Sequence, residues 1–170
     1  MLYDPVLVQP MRDELVRLGV RELITAEEVD EALSPDSGTV LLVVNSVCGC
    51  AARNARPAVA LAAQHSTRPD AMVTVFAGQD VEASARAREF LTGYRPSSPS
   101  IALLQDGDLL FMLERHQIEG RSAETIADEM KAAFDRHCAA PGRFGASRPF
   151  LAAPFRRHIH WPLMTFSAAA

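Results

Sequence analysis

Two of the three cysteines in the sequence lie close together, at Cys48 and Cys50, with a single glycine between them. They follow a continuous apolar run at 40–44, which predicts a strand covered on both faces. Alanines at 51, 52 and 55 favour a helix directly after them. Unpaired N–H groups and the helix dipole stabilise an anion at a helix N-terminus, so a cysteine placed there ionises readily. The spacing therefore predicts thiol chemistry at this strand–helix junction.

The chemistry that two such thiols support is thiol–disulfide exchange, which requires a thiolate, an accessible sulfur and a good leaving group. We expect Cys48, in the turn, to be the more exposed sulfur and Cys50 to lie in the first helical turn. Gly49 lacks a Cβ and can adopt the unusual backbone angles that a ring closed by these cysteines requires. Such a ring would be strained and easily reduced, which predicts a transient disulfide. The alternative is a pair of thiols without a chemical role.

Other residues are candidates for the same chemistry. Arg53 and Arg56 lie on the predicted helix, where they either attract an anionic low-molecular-weight thiol or form an ordinary solvated face. Cys138 is either a third redox thiol, exchanging with the pair or with another subunit, or a bystander. The polar run Glu-Arg-His at 114–116 has the composition of a proton relay, although such residues more often form a surface salt bridge.

A metal site is the main alternative from a different class of function. Zinc sites usually combine two Cys-x-x-Cys-like pairs, whereas this sequence has one shorter pair and one distant cysteine. Because the ligand count is poor, we expect no bound metal. The residues that would have to converge are Cys48, Cys50, Cys138 and a histidine such as His137.

Composition and charge restrict the class of protein. A chain of 170 residues with 48% apolar and 22% charged residues is ordinary for one globular domain. The formal net charge of −4 argues against a broad nucleic-acid surface. No apolar run approaches the roughly 20 residues that cross a bilayer, and the N-terminus does not resemble a secretory signal. We therefore expect no membrane partner and a cytoplasmic protein, where cysteines are more often catalytic, redox-sensing or metal-binding than structural.

The order of predicted elements indicates the fold. Helices are predicted over 10–18, 25–33, 50–65, 80–91 and 122–138, and strands over 21–25, 39–45, 71–77, 100–105 and 108–115. This order, with the cysteines between a strand and a helix, is thioredoxin-like: an α/β fold with a central mixed sheet flanked by helices. We expect this domain to span 1–140. The proline-containing tail, 141–170, is expected to be an irregular C-terminal extension.

Two local features of the helices are also predicted. Pro57 removes a backbone hydrogen bond about two turns into the helix at 50–65, which predicts a kink. Asp80 is a capping residue for the helix at 80–91, whose inward side chains are expected to include Val81, Ala85 and Phe90.

Several separate segments resemble the bacilliredoxin family, bacterial thioredoxin-fold proteins with a Cys-Gly-Cys active site. The likeness spans roughly residues 1 to 138. It is carried by Val-Asn-Ser-Val-Cys-Gly-Cys-Ala at 44–51, Ala-Arg-Pro at 55–57, Arg-Pro-Ser-Ser-Pro-Ser-Ile-Ala-Leu at 95–103, Glu-Arg-His-Gln-Ile-Glu-Gly-Arg at 114–121 and Phe-Asp-Arg-His-Cys at 134–138.

The resemblance implies a thiol–disulfide oxidoreductase that reduces mixed disulfides between protein cysteines and the small thiol bacillithiol. Bacillithiol is then a co-substrate, with no bound cofactor, and the partners are proteins carrying mixed disulfides. If the two cysteines of the family's Cys-Gly-Cys motif have the same roles in this chain, Cys48 is the attacking thiol and Cys50 is the second thiol. The fold also implies that Pro99 is a cis-proline beside the cysteines and that Ser98 offers backbone groups to an incoming chain.

Three interpretations of function therefore stay open: the reductase of mixed disulfides, an isomerase or oxidant of protein disulfides, and a non-catalytic module that binds metal through its cysteines. Some members of the family have been described as isomerases. The sequence also leaves a homodimer open.

Overall fold

The computed structural model describes residues 3–138 of the chain. Within that range it forms one five-stranded sheet with helices on both faces. The strands are β1 Arg21–Glu22, β2 Thr39–Asn45, β3 Ala71–Phe76, β4 Ser100–Gln105 and β5 Asp108–Leu113. The helices are α1 Pro5–Val16, α2 Ala26–Ala32, α3 Arg56–Ala62, α4 Val81–Glu89, α5 Arg115–Ile118 and α6 Ala123–His137, and a π-helical turn, Ala51–Ala55, precedes α3.

Strand β2 lies at the centre of the sheet, whose strand order is β1-β3-β2-β4-β5. It pairs in parallel with β3 and antiparallel with β4, so that Val43 lies opposite Thr74 on one side and Ile101 on the other. All seven residues of β2 are buried. The sheet is therefore mixed, as the order of predicted elements indicated, and the fold is thioredoxin-like.

The continuous apolar run in β2 is explained by a core on each face of the sheet. Side chains alternate along a strand, so Leu41 and Val43 point to one face and Leu42 and Val44 to the other. The first pair packs with residues of α1, α3 and α6, and the second with residues of α2 and α4. Two buried faces hold β2 in place, and its carboxyl end leads directly to the cysteines.

The helix after the cysteines differs from the prediction. It is not one kinked α-helix over 50–65, because a π-helical turn precedes α3, and the N–H of Arg56 donates to the carbonyl of Ala51, five residues back. Pro57 then occupies the first turn of α3, where its missing N–H costs no intrahelical bond. The wider turn accommodates the proline that we expected to kink the helix, and single π-turns of this kind often occur at functional sites.

Helix α4 departs in part from its predicted face, although Phe90, which follows it, packs against the core as expected. Val81 is 55% exposed and Ala85 is exposed, whereas Ala83 and Ala87 are the buried apolar residues. The carboxylate of Asp80 does not cap the helix. It is instead bound by the guanidinium of Arg12, with the shorter contact at 2.7 Å. The local sequence shows only that Asp80 is suited to cap a helix. It cannot show that Arg12, which is distant along the chain, binds the carboxylate instead.

Smaller differences occur at element ends. Helix α1 begins at Pro5 instead of at 10, because the Asp4 side chain accepts a hydrogen bond from the N–H of Val6 and Pro5 supplies a preset first turn. Strand β5 ends at Leu113, and the connection after it contains the short helix α5. None of the helices in the part of the chain that is described is long and apolar enough to cross a membrane. The predicted extension, 141–170, lies outside the described residues, and the boundary at 140 stays a prediction.

Candidate active site

The cysteines form a disulfide at the carboxyl end of β2, where the chain passes into the π-helical turn. The Cα atoms of Cys48 and Cys50 are 5.4 Å apart, within the usual range for a disulfide. Cys48 is half-buried, whereas Cys50 is only 6% exposed. The prediction that Cys48 is the more accessible sulfur is therefore confirmed.

Two donors lie within hydrogen-bonding distance of the Cys48 sulfur. The Ser46 hydroxyl donates to Sγ at 3.3 Å, and the backbone N–H of Ala51 donates to the same atom at 3.3 Å. Donors placed in this way stabilise negative charge on the sulfur once the disulfide opens. The Ala51 N–H lies at the strand–helix junction, as expected, and it is shared between this sulfur and the Cys48 carbonyl oxygen at 3.1 Å.

A buried polar cluster supports the loop from behind. The Asn45 side chain accepts hydrogen bonds from the N–H of Ser46 at 2.9 Å and from Arg56 Nη1 at 3.2 Å, and it donates to the carbonyl of Met11 at 3.2 Å. Arg56 also donates to the Ser46 carbonyl at 3.3 Å. Through these bonds the cluster fixes the residue whose hydroxyl reaches the Cys48 sulfur.

The placement of Arg56 corrects both interpretations made from the sequence. It neither faces solvent nor offers its charge to a small thiol, because it is 4% exposed and its Nε is paired with Glu14. A guanidinium at this depth needs a carboxylate and further acceptors to offset its desolvation, and Glu14 and Asn45 provide them. Arg56 is therefore a positioning residue and not a ligand for substrate.

Gly49 and Arg53 have a different relationship from the expected one. Gly49 does not have a positive φ, so the unusual backbone angles expected for it are absent. A Cβ at this position would instead lie 3.1 Å from Arg53 Nη2. The missing side chain leaves room for the guanidinium of Arg53, which is exposed beside the cysteine loop.

The peptide bond between Ser98 and Pro99 is cis, as the resemblance implied, and it directly precedes β4. Ser98 and Cys48 line one cleft of about 250 Å³. The remaining residues that line this cleft, called the Cys48 cleft below, are Tyr3, Ser46, Val47, Ala77, Gly78, Arg88 and Arg115.

A second cleft, of about 270 Å³, is lined by Cys50. Its other lining residues are Arg53, Asn54, Glu119 and Gly120. The two cysteines of the disulfide thus line different clefts, and the cleft at Cys50 is lined by both a cation, Arg53, and a carboxylate, Glu119. The predicted substrate-binding residues separate accordingly: Ser98 lies in the Cys48 cleft and Arg53 in the Cys50 cleft.

Cys138 lies at the opposite end of the sheet. Its thiol is within hydrogen-bonding reach of Thr39, the first residue of β2, whereas Cys48 follows the last, and β2 spans roughly 20 Å. Burial raises the pKa of Cys138, whose side chain is 8% exposed. At this distance no disulfide with the pair of the same chain can form, so the interpretation as a thiol that exchanges with that pair is wrong. Exchange with another subunit stays a prediction.

The same separation bears on the metal hypothesis. Cys138 and its neighbour His137 cannot share a metal ion with Cys48 and Cys50. Across residues 3–138, no group of three or more His, Cys, Asp or Glu side chains is placed to hold one.

The polar run at 114–116 forms surface contacts. Arg115 Nε donates to Glu119 at 3.3 Å, and His116 Nδ1 lies 3.9 Å from Glu114. His116 is 73% exposed. The salt-bridge interpretation is therefore the correct one, although Arg115 in addition lines the Cys48 cleft.

Sequence reasoning missed Asn45 as the centre of the buried cluster, and it missed Arg88 and Tyr3 in the Cys48 cleft. Arg88 is in the last turn of α4, far from the cysteines in sequence, and no local pattern connects it with them.

Comparison with known proteins gives a consistent result. A family model described as disulphide isomerase matches residues 3–138. A bacilliredoxin of Koribacter versatilis is 49% identical over 139 residues, which cover 82% of this chain and 96% of that protein. One of Halalkalibacterium halodurans is 54% identical over 132 residues (78% and 90% covered), and one of Salinibacter ruber is 53% identical over 140 residues (81% and 82% covered).

Among solved structures, a thioredoxin of Malassezia sympodialis is similar with a TM-score of 0.47 and 18% identity, covering 69% of this chain and 90% of that one. The assignment of the fold does not rest on this likeness. It rests on the strand order, on the position of the cysteines after the central strand and on the cis-proline before β4.

Proposed function

Since the chain belongs to the bacilliredoxin family, we propose that it is a thiol–disulfide oxidoreductase that reduces mixed disulfides between protein cysteines and the low-molecular-weight thiol bacillithiol. The observation that carries the proposal is the half-buried Cys48 sulfur, bonded to Cys50 and contacted by the Ser46 hydroxyl and the Ala51 N–H. A sulfur that is accessible, has donors and has a second thiol within bonding distance meets the requirements of exchange chemistry. We place the reaction in the cytoplasm.

The reaction begins from the reduced pair. The Cys48 thiolate attacks the small-thiol sulfur of the mixed disulfide, a new S–S bond forms at Cys48, and the substrate protein leaves as a thiolate that takes a proton from solvent. The hydrogen bonds from Ser46 and Ala51 stabilise the Cys48 thiolate before the attack.

The second step uses Cys50, whose sulfur is within bonding distance of Cys48. Its thiolate attacks Cys48 Sγ, which forms the internal disulfide and releases the small thiol. A cellular dithiol, or two molecules of a small thiol, then supplies the two electrons that return the pair to its reduced form.

Intact-mass spectrometry of the reduced full chain carrying Cys50→Ser, which cannot resolve the adduct on Cys48, checks the proposal after mixing with a bacillithiolated test protein. We expect transfer of the bacillithiol mass to Cys48 with release of the test protein's thiol, and we expect Cys48→Ser to abolish it. A glutathionylated test protein shows whether the reaction depends on the identity of the small thiol. Equal transfer from the two test proteins would support thiol–disulfide exchange at Cys48 but would contradict a preference for bacillithiol. No transfer from either would overturn the proposal.

Isomerisation of protein disulfides is the second candidate, because the matching family model carries that description. An isomerase needs the attack by Cys48 but can dispense with Cys50, since the substrate's own thiols resolve the adduct. Reactivation of a test protein with scrambled disulfides by Cys50→Ser, at the wild-type rate, would favour isomerisation over the reductase.

A further inference from the structure

Arg88 has an unusual environment among the arginines in the described residues. Its Nε is buried and has no hydrogen-bond partner, and no carboxylate within residues 3–138 forms an ion pair with it. Other partly buried or half-exposed arginines of the domain each have a carboxylate partner: Arg12, Arg56, Arg86 and Arg121. A partly buried guanidinium without an anion is an unsatisfied donor, and such groups need an explanation.

The position of Arg88 provides one. Arg88 lines the Cys48 cleft together with Arg115, and none of the described residues that line this cleft is acidic. The Cys50 cleft, in contrast, contains Glu119 as well as Arg53. In a chain whose formal net charge is −4, this cleft beside the more accessible cysteine contains two guanidinium groups and, among the described residues, no acidic lining residue: Arg88 has no carboxylate partner there, and Arg115 pairs only through its Nε, with the exposed Glu119. The cleft is therefore a local site for an anion.

The dimensions of the cleft indicate the size of the ligand. At about 250 Å³ it is slightly smaller than the roughly 300–1,000 Å³ of ordinary small-molecule sites, so it suits part of a small molecule. Arginine is the side chain best matched to a carboxylate, because its planar fork of N–H groups donates two parallel hydrogen bonds.

We propose that the Cys48 cleft is an anion subsite in which Arg88, assisted by Arg115, binds a carboxylate of the low-molecular-weight thiol that bonds to Cys48. This subsite rests on the proposed function and defines its substrate class: thiols that carry a carboxylate. It moves the recognition of the anion from Arg53 and Arg56, where the sequence suggested it, to the other side of the cysteine loop.

A single-turnover experiment with the reduced full chain tests the subsite. One test protein is prepared as two mixed disulfides, with 3-mercaptopropionate and with the uncharged 2-mercaptoethanol, and the rate constant for release of its thiol is measured. We expect Arg88→Gln to slow release from the 3-mercaptopropionate adduct by about tenfold and from the 2-mercaptoethanol adduct by less than about twofold. Arg88→Lys, which keeps the charge, should retain most of the preference.

Arg68→Gln is the matched control, since it removes an exposed arginine near the start of β3, at the other end of the sheet. It should leave both rates unchanged. Added salt should reduce the wild-type preference for the anionic adduct and have little effect on that of Arg88→Gln.

An unchanged preference of Arg88→Gln for the 3-mercaptopropionate adduct, or an equal fall of both rate constants, would overturn the subsite. The proposed function would still stand in that case, because the wild type releases the thiol. Failure of the wild type to release thiol from either adduct would overturn the proposed function itself.

Discussion

The hydroxyl of Ser46 donates a hydrogen bond to the Sγ of Cys48 at 3.3 Å, and Ser46 is itself fixed by the Asn45 side chain. The reactive sulfur is therefore connected to the buried polar cluster behind β2 through a single residue. The reactivity of Cys48 and the stability of this cluster can be tested separately, because the first depends on the Ser46 hydroxyl and the second on the Arg56 and Asn45 side chains.

Ser46→Ala removes the hydroxyl donor and leaves the Ala51 N–H in place. Loss of one hydrogen bond to the thiolate, about 1 kcal/mol, should slow alkylation of Cys48 by iodoacetamide at pH 7 by roughly fivefold. The rate is measured by mass spectrometry on the reduced protein. Ser66→Ala, an exposed serine before β3, should react like the wild type. Equal rates in Ser46→Ala and the wild type would show that the Ser46 hydroxyl does not support the thiolate.

Arg56→Met should lower the free energy of unfolding by about 2 kcal/mol, because it leaves acceptors on Asn45 and Ser46 without their donor in a buried place. Glu14→Gln should cost about 1 kcal/mol or less, since Glu14 is 48% exposed and glutamine still accepts from Arg56. Urea unfolding monitored by circular dichroism gives both values. A larger loss in Glu14→Gln than in Arg56→Met would contradict the buried cluster as described.

Gly49→Ala should be tolerated, with a loss of stability under about 1 kcal/mol. The added Cβ meets only the end of the flexible Arg53 side chain, 3.1 Å away. Gly107→Ala is the contrasting variant, because Gly107 has φ +87° and its Cβ would lie 2.9 Å from the Leu33 carbonyl oxygen. Thermal unfolding of the two variants should rank Gly107→Ala as clearly the less stable; the reverse order would mean that the backbone at Gly49 is the constrained one.

Cys138 should be alkylated far more slowly than Cys48 in the reduced native protein at pH 7. Burial raises the pKa of the Cys138 thiol, so its thiolate fraction at neutral pH is lower than that of an ordinary cysteine, and the side chain is only 8% exposed. Because its pKa is raised, the rate should continue to increase with pH beyond the range in which an ordinary cysteine titrates. Peptide mapping after a short pulse of iodoacetamide distinguishes the sites, and the same pulse in urea should label both fully. Fast labelling of native Cys138 at pH 7 would contradict its position in the core.

The strands of the central sheet could be predicted because β2 and β4 are short, continuously apolar and bounded by turn residues. The same pattern located the cysteines, since it placed the end of a buried strand directly before them. The Cys48 cleft could be predicted only in part. The resemblance placed Ser98 beside the cysteines, whereas Tyr3 and Arg88 are far from Cys48 in sequence and reach the cleft only through tertiary packing.

The error over Arg56 has a related cause. Helical periodicity cannot show that a charged residue faces inward unless its partner is known, and Glu14 lies on a separate helix, 42 positions earlier. The π-helical turn had a signal, Pro57, but a proline in a helix predicts a disturbed backbone without specifying whether the helix bends or widens.

The central position of β2 has a consequence for the timescales of motion. A strand buried along its whole length and hydrogen-bonded to a neighbour on each side belongs to the part of a domain that exchanges its amide hydrogens only when the entire domain unfolds. The disulfide, by contrast, lies beyond the carboxyl end of β2 and is half-exposed at Cys48, so its S–S bond can open without breaking the hydrogen bonds of β2. Opening and closing of the disulfide is thus uncoupled from the slowest motion of the molecule, and the β2 amides should keep the same deuterium-exchange protection through many redox cycles.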